Sequence, residues 1–134
     1  MPPKAQPADR AMISLPRLRL RLVYGDSLKI GPGKADLLQG IAETGSISAA
    51  GRGMGMSYKR AWSLVEEMNA AFRMPLVISS RGGAKGGGAA LTDTGQQVLT
   101  AFRHLEQKLE HEGAAEIAQI SDLLSPDFDM SAEK

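Results

Sequence analysis

Ser57, Tyr58, Lys59, Arg60 and Ser63 gather three hydroxyls and two cations into seven residues. Their chemistry is recognition: Lys and Arg pair with guanine edges, and Ser and Tyr hydrogen-bond to bases or phosphates. A second cationic pair, Arg81 and Lys85, stands in the glycine-rich run Arg81-Gly-Gly-Ala-Lys-Gly-Gly-Gly88 and could reach phosphates or a minor groove. That run is not a P-loop, because G-x-x-x-x-G-K-[ST] is absent and a strand, not a helix, is expected after it. Bond-making chemistry finds no such grouping. His104 and His111 stand seven apart, too far for a shared metal at i, i+4, and lack supporting ligands at standard spacing. Glu66 and Glu67 are adjacent and so face different sides of a helix, and no nucleophile elbow is present. The pattern predicts a binding protein, not an enzyme, with no catalytic residue, metal site or cofactor.

Two helices and a tight turn must hold the first group in place. In residues 45–69, Ala50, Met54, Met56, Ala61 and Leu64 are apolar where two crossed helices touch, and small Gly51 sits where their backbones come closest. Gly55 falls at the turn, where positive φ costs glycine nothing. Ser46 and Ser57 are placed to cap the two helices. Along the second helix, Ala61, Leu64, Val65, Met68 and Phe72 recur at helical spacing and face the core, which leaves Tyr58, Lys59, Arg60 and Ser63 on other faces near its start. Trp62 borders the stripe and is expected to be partly buried, in the core or over a sugar or thymine methyl. An amphipathic core helix with a wet face would show part of this pattern. The complete turn register favours a helix-turn-helix whose second helix enters the major groove of double-stranded DNA.

The flanking segments supply a frame. In residues 16–24, Leu18, Leu20 and Leu22 alternate with Arg17, Arg19 and Arg21, the period of a half-buried strand; Leu28-Lys-Ile30 returns after a turn at Gly25-Asp26. The arginines read first as a solvent face. Ala35, Leu37, Leu38, Ile41 and Ala42 stripe a buttressing helix over residues 34–44, closed by Gly45. Residues 74–80 are extended after Pro75, and Ala89-Ala-Leu91 is a second short strand, so the glycine run between them takes the place of a wing. Thr92 caps a long final helix with an apolar stripe of Val98, Leu99, Phe102, Leu105 and Leu109. Gly113 ends or bends it, and Ile117, Ile120, Leu123 and Leu124 follow. The stripe is longer than a small three-helix body needs, so a homodimer interface at Leu99, Phe102, Leu105 and Leu109 is expected, with packing onto the same protomer the competing reading before Gly113.

A chain of 134 residues with 43% hydrophobic residues is one domain with a modest core, and its zero cysteines make a cytoplasmic home the default. No apolar run approaches the roughly 20 residues a bilayer needs, so no membrane partner is expected. The net charge of +1 conceals polarity: residues 1–104 hold 14 Lys and Arg against 7 Asp and Glu, and residues 105–134 hold 2 against 8. A basic body suits a polyanion. The expected organisation is mainly α with a small β wing: a lead-in over residues 1–15, a winged helix-turn-helix over 16–91, a dimerisation helix over 92–124, and an acidic tail over 125–134.

Gly45-Ser-Ile-Ser, Gly55-Met-Ser-Tyr-Lys-Arg-Ala-Trp62, Glu67-Met-Asn69, Pro75-Leu-Val77 and Gly82-Gly-Ala-Lys-Gly-Gly-Gly-Ala-Ala-Leu-Thr92 followed by Gly95 together resemble the N-terminal DNA-binding domain of the ModE family of molybdate-responsive regulators. The winged helix-turn-helix of LysR-type regulators is similar at greater distance. The likeness covers roughly residues 18–109. It implies a dimeric transcription factor with the helix of residues 57–62 in the major groove and the glycine loop as wing. Full ModE proteins continue into molybdate-binding modules, and this chain ends where they would begin. The expectation is therefore that it does not itself bind molybdate, and that sensing falls to a separate molybdate-sensing protein or is absent. The alternative reading keeps the fold but makes it an interaction module docking on a regulatory or molybdenum-enzyme partner.

Overall fold

The computed structural model describes residues 16–80 and 88–129, which divide into two compact units, one of them Arg19–Glu106 and the other lying on either side of it in sequence. In Arg19–Glu106 the chain opens with an antiparallel hairpin, β1 (Leu22–Tyr24) and β2 (Leu28–Ile30), in which Leu22 pairs with Ile30 and Tyr24 with Leu28. Leu28 and Ile30 share one face of the pleat and are buried, while Lys29 between them is exposed. The expected strand over residues 16–24 is thus shortened to three residues. Its partner is equally short, because Gly31 and Pro32 turn the chain into helix α1 (Pro32–Thr44). The alternation nevertheless persists upstream, with Leu18, Leu20 and Leu22 half-buried and Arg17, Arg19 and Arg21 exposed.

Helix α1 begins on Pro32, whose fixed φ suits a first turn, and ends on Gly45 in the left-handed conformation. It buries Ala35, Leu37, Leu38 and Ile41. Helix α2 (Ile47–Gly53) and helix α3 (Tyr58–Ala71) follow, and then a second antiparallel pair, β3 (Val77–Ser80) with β4 (Gly88–Leu91), registered Val77 to Leu91 and Ser80 to Gly88. This is a winged helix-turn-helix. One core joins these elements: Leu37, Leu38, Ile41, Met68 and Leu76 are its largest fully buried side chains, with Met54, Met56, Phe72 and Val98 packed at its margin.

Helix α4 (Asp93–Glu112) is fastened at its start. Thr92 Oγ1 accepts from the Gly95 amide at 3.0 Å and donates to the Pro75 carbonyl at 2.6 Å, while the Thr92 amide donates to the Leu76 carbonyl at 2.9 Å. Gly95 permits this closeness, since a Cβ there would lie 2.1 Å from the Leu76 carbonyl oxygen. Further along, Arg103 braces α4 to α1 by donating to Asp36 at 2.7 Å and Gln39 at 3.1 Å, and it also meets Glu106 at 3.1 Å. Burial works against the Arg103 charge, but the hydrogen bonds to Asp36 and Glu106 outweigh it and hold the guanidinium above its ordinary pKa.

One expectation changes here. Leu99 and Phe102, expected at a dimer interface, are 5% and 3% exposed and belong to the core of their own protomer. They fall on the inward side of the first turns of α4, where the small body does have room for them. Leu105 is half-buried and Leu109 exposed.

In the second unit, Gly113 separates the end of α4 from helix α5 (Ala114–Asp122), its amide donating to the Leu109 carbonyl at 2.8 Å. Helix α5 has no buried residue, and Ile120, Leu123 and Leu124 are exposed. Residues 125–129 carry neither helix nor strand. The expected lead-in over 1–15 and the end of the expected tail lie outside the described residues.

Candidate nucleic-acid interface

The geometry between α2 and α3 begins with two serines. Ser46 Oγ accepts from the Ala49 amide at 2.9 Å and Ser57 Oγ from the Arg60 amide at 3.1 Å, so each helix has one of its orphan N–H groups satisfied by a side chain three residues earlier. Between them the chain reverses at Gly55, whose φ of 74° is the left-handed value that the turn demands. The Gly51 carbonyl accepts from both the Met54 and Met56 amides, at 2.9 and 3.0 Å, which closes the turn. At the crossing, a Cβ on Gly51 would stand 2.7 Å from the Ala61 Cβ, so the two backbones are as close as this pair of small residues allows.

That crossing fixes which side of α3 faces outward. Ala61, Leu64, Val65 and Met68 are buried; Tyr58, Lys59, Arg60 and Ser63 are exposed. Ser57 is exposed too, with its hydroxyl already engaged as the cap. Among the described residues no carboxylate lies within ion-pair distance of Lys59 or Arg60. Glu67, further along, is paired with Lys34 at 3.3 Å. The start of α3 therefore offers cationic and hydroxyl donors with no acid among the described residues to satisfy the cations. Such a face can donate to guanine O6 and N7 and to phosphate oxygens. Arg81 and Lys85, expected in the wing, lie outside the described residues.

Trp62, expected to be partly buried, is 46% exposed: one step past Ala61 the helix turns the side chain to the edge of the buried stripe. Tyr58, one turn earlier, is 55% exposed.

Asn69 is the positioning residue that sequence reasoning missed. Its Oδ1 accepts from the Leu76 and Val77 amides at 2.8 and 3.1 Å, and its Nδ2 donates to the Val77 carbonyl at 3.0 Å. The last turn of α3 is thereby clipped to β3, the first strand of the wing. A signal existed: asparagine is a poor residue for a helix interior unless its amide has work elsewhere. On the other side of the motif, the Ala89 amide of β4 donates to the Gly45 carbonyl at 2.9 Å, joining the wing to the turn before α2.

Comparison with known proteins resolves what kind of helix-turn-helix this is. Residues 34–96 match the family described as bacterial regulatory helix-turn-helix protein, lysR family. The molybdenum-pterin-binding protein MopB of Rhodobacter capsulatus is 44% identical over 78 residues, 58% of this chain and 29% of MopB. MopA of the same organism is 39% identical over 99 residues, 74% of this chain and 35% of MopA. The DNA-binding transcriptional dual regulator ModE of Escherichia coli K12 is 40% identical over 88 residues, 66% of this chain and 34% of ModE. The chain carries a ModE-like helix-turn-helix domain of the LysR type. It spans about a third of the length of these relatives. The match to the lysR-family helix-turn-helix takes in both helices of the motif, the wing strands and the start of α4, as far as Gln96. No helix among the described residues is long and apolar enough to cross a membrane.

Proposed function

We propose that this chain is a sequence-specific, double-stranded-DNA-binding transcriptional regulator of the ModE type, linked to genes of molybdenum metabolism and not an enzyme. The observation that carries the reading is the start of α3, where Lys59 and Arg60 stand exposed, without acidic partners among the described residues, on a capped helix fixed by the Gly51–Ala61 crossing. Lys59, Arg60, Tyr58 and Ser63 face the major groove, and Ser57 sets the helix start. Arg81 and Lys85 are assigned to phosphate contacts. A DNA partner places the protein in the bacterial cytoplasm. The docking-module alternative is not favoured, since it leaves these cations without a role.

The chain acts as a homodimer joined through the segment from Thr92 onward, with Leu105 and Leu109 remaining from the expected stripe and the exposed residues of α5 added to them. Two-fold symmetry then calls for half-sites about one helical turn or a multiple apart. This chain does not itself bind molybdate. Calorimetry with the purified chain checks this: saturable micromolar molybdate binding that excludes sulfate would refute it.

The DNA reading itself is tested with fragments of the host genome. Neutralising several phosphates releases counterions, so log affinity should fall linearly with log salt for the fragments retained. A salt-independent signal, or no retained fragment, would sink it.

A further inference from the structure

Trp62 is the single tryptophan of the chain, and about half of its surface is in water on the outward side of α3. An indole is among the side chains that gain most from being covered, so one left open on a helix of a small body is available for a partner. Tyr58 lies one turn before it and is also exposed; residues four apart on a helix are surface neighbours. Lys59 and Ser63 lie alongside. The outward face of α3 therefore carries two aromatic surfaces beside its donors, and hydrogen bonding to guanine or phosphate uses neither of them.

In a paired duplex the flat faces of the bases are stacked on one another and closed to an aromatic side chain. The apolar feature that base edges present in the major groove is the thymine 5-methyl group. We propose that Trp62, supported by Tyr58, is a specificity-determining residue that seats on thymine 5-methyl groups, so that the site is read by methyl position as well as by hydrogen bonds. The proposal rests on the DNA-binding reading above and adds the base class that the aromatic pair selects. Lys59 and Arg60 supply attraction and guanine contacts, and Trp62 supplies a preference for thymine at the neighbouring positions.

The test uses the full chain and a genomic fragment it retains, with thymines replaced one at a time by deoxyuridine, which keeps every hydrogen-bonding group and removes only the methyl. Wild-type protein should lose about three- to tenfold in affinity at one or two positions per half-site, the scale of one or two methyl groups returned to water. Trp62→Ala should bind thymine and uracil duplexes alike, and Trp62→Phe should keep part of the preference; circular dichroism reports whether each variant is folded. Fluorescence of the lone tryptophan should change on binding the thymine duplex and change less with uracil at the sensitive positions. Equal wild-type affinity for thymine and uracil at every position overturns the proposal while leaving DNA binding intact. So does a Trp62→Ala protein that keeps the full methyl penalty, an outcome that assigns the aromatic pair to a protein partner. Retention of no fragment at all removes the DNA-binding reading and this proposal with it.

Discussion

Helices α3 and α5 carry the same signature in sequence and opposite fates in structure. Both are amphipathic. The apolar stripe of α3 disappears into its own protomer, so that what remains outside is Tyr58, Lys59, Arg60, Trp62 and Ser63. No residue of α5 is fully buried: Ile117 is half-buried, and Ile120 shares the surface with Glu116 and Asp122. Amphipathicity thus announces only that a face wants covering. What covers it is decided by neighbours: α3 is held by α2 through the Gly51–Ala61 crossing and by β3 through Asn69, whereas the unit containing α5 offers it no buried residue.

The largest effect should come from breaking the frame around α3. Gly95→Ala forces a Cβ into the Leu76 carbonyl, which is rigid backbone on the strand side of the wing. We expect a loss of about 3 kcal/mol in unfolding free energy, at the upper end for overpacking, measured by urea titration. A change below about 1 kcal/mol would mean that α4 slides freely against Leu76 and that the frame is looser than described.

Asn69→Ala should come next. It leaves two amides and one carbonyl of residues 76 and 77 without their side-chain partner, at a cost of about 2 kcal/mol. Asn69→Asp separates the two roles of the amide, since a carboxylate keeps the acceptor toward Leu76 and Val77 but cannot donate to the Val77 carbonyl. It should fall between wild type and Ala. If Asp is worse than Ala, repulsion between its second oxygen and the Val77 carbonyl exceeds what the retained acceptor contributes.

These two positions also mark how far the sequence could be read. The caps at Ser46 and Ser57, the left-handed Gly55 and the inward stripe of α3 were legible because each depends on residues within about one turn of itself. Asn69 and the depth of the Gly95 approach were not, because their partners lie seven to nineteen residues away and nothing local names them. Leu99 and Phe102 were placed at the wrong surface for the same reason: a stripe shows which side is apolar, not whether the body reaches far enough to bury it. Trp62 was legible as a half-buried residue at the edge of the stripe, because one residue turns the side chain through about 100° from Ala61. The DNA-contact assignments rest on the exposed start of α3, and the next experiment addresses them directly.

Lys59→Ala and Arg60→Ala act on the exposed side of α3 and should leave unfolding within about 0.5 kcal/mol of wild type. Their effect belongs to binding, about 1 to 3 kcal/mol against the specific fragment where a base contact is lost. Arg81→Ala and Lys85→Ala should instead weaken binding to all sequences alike and reduce the salt slope by about one each. If the wing changes alter sequence preference and the helix changes do not, the roles of helix and wing are reversed.

The smallest effect on folding should come from the other side of the comparison. Ile120→Ser removes an exposed apolar side chain from α5, so the unfolding free energy of dilute protomer should stay within about 0.5 kcal/mol of wild type. Leu64→Ala, a buried residue of α3, should cost about 2 to 5 kcal/mol in the same assay. Self-association should show the reverse order. An apolar face that its own unit leaves uncovered is stabilised by a second copy, so wild-type Tm should rise with protein concentration and Ile120→Ser should weaken or abolish that dependence. Sedimentation gives the same answer by mass: a dimer at binding concentrations for wild type, a shift toward monomer for Ile120→Ser. Two results would break the argument. If wild-type protein is monomeric and occupies a single non-palindromic site, α5 is not covered by a second copy. If Ile120→Ser destabilises the dilute protomer as much as Leu64→Ala does, the face of α5 is already packed within its own chain, and the contrast between the two helices disappears.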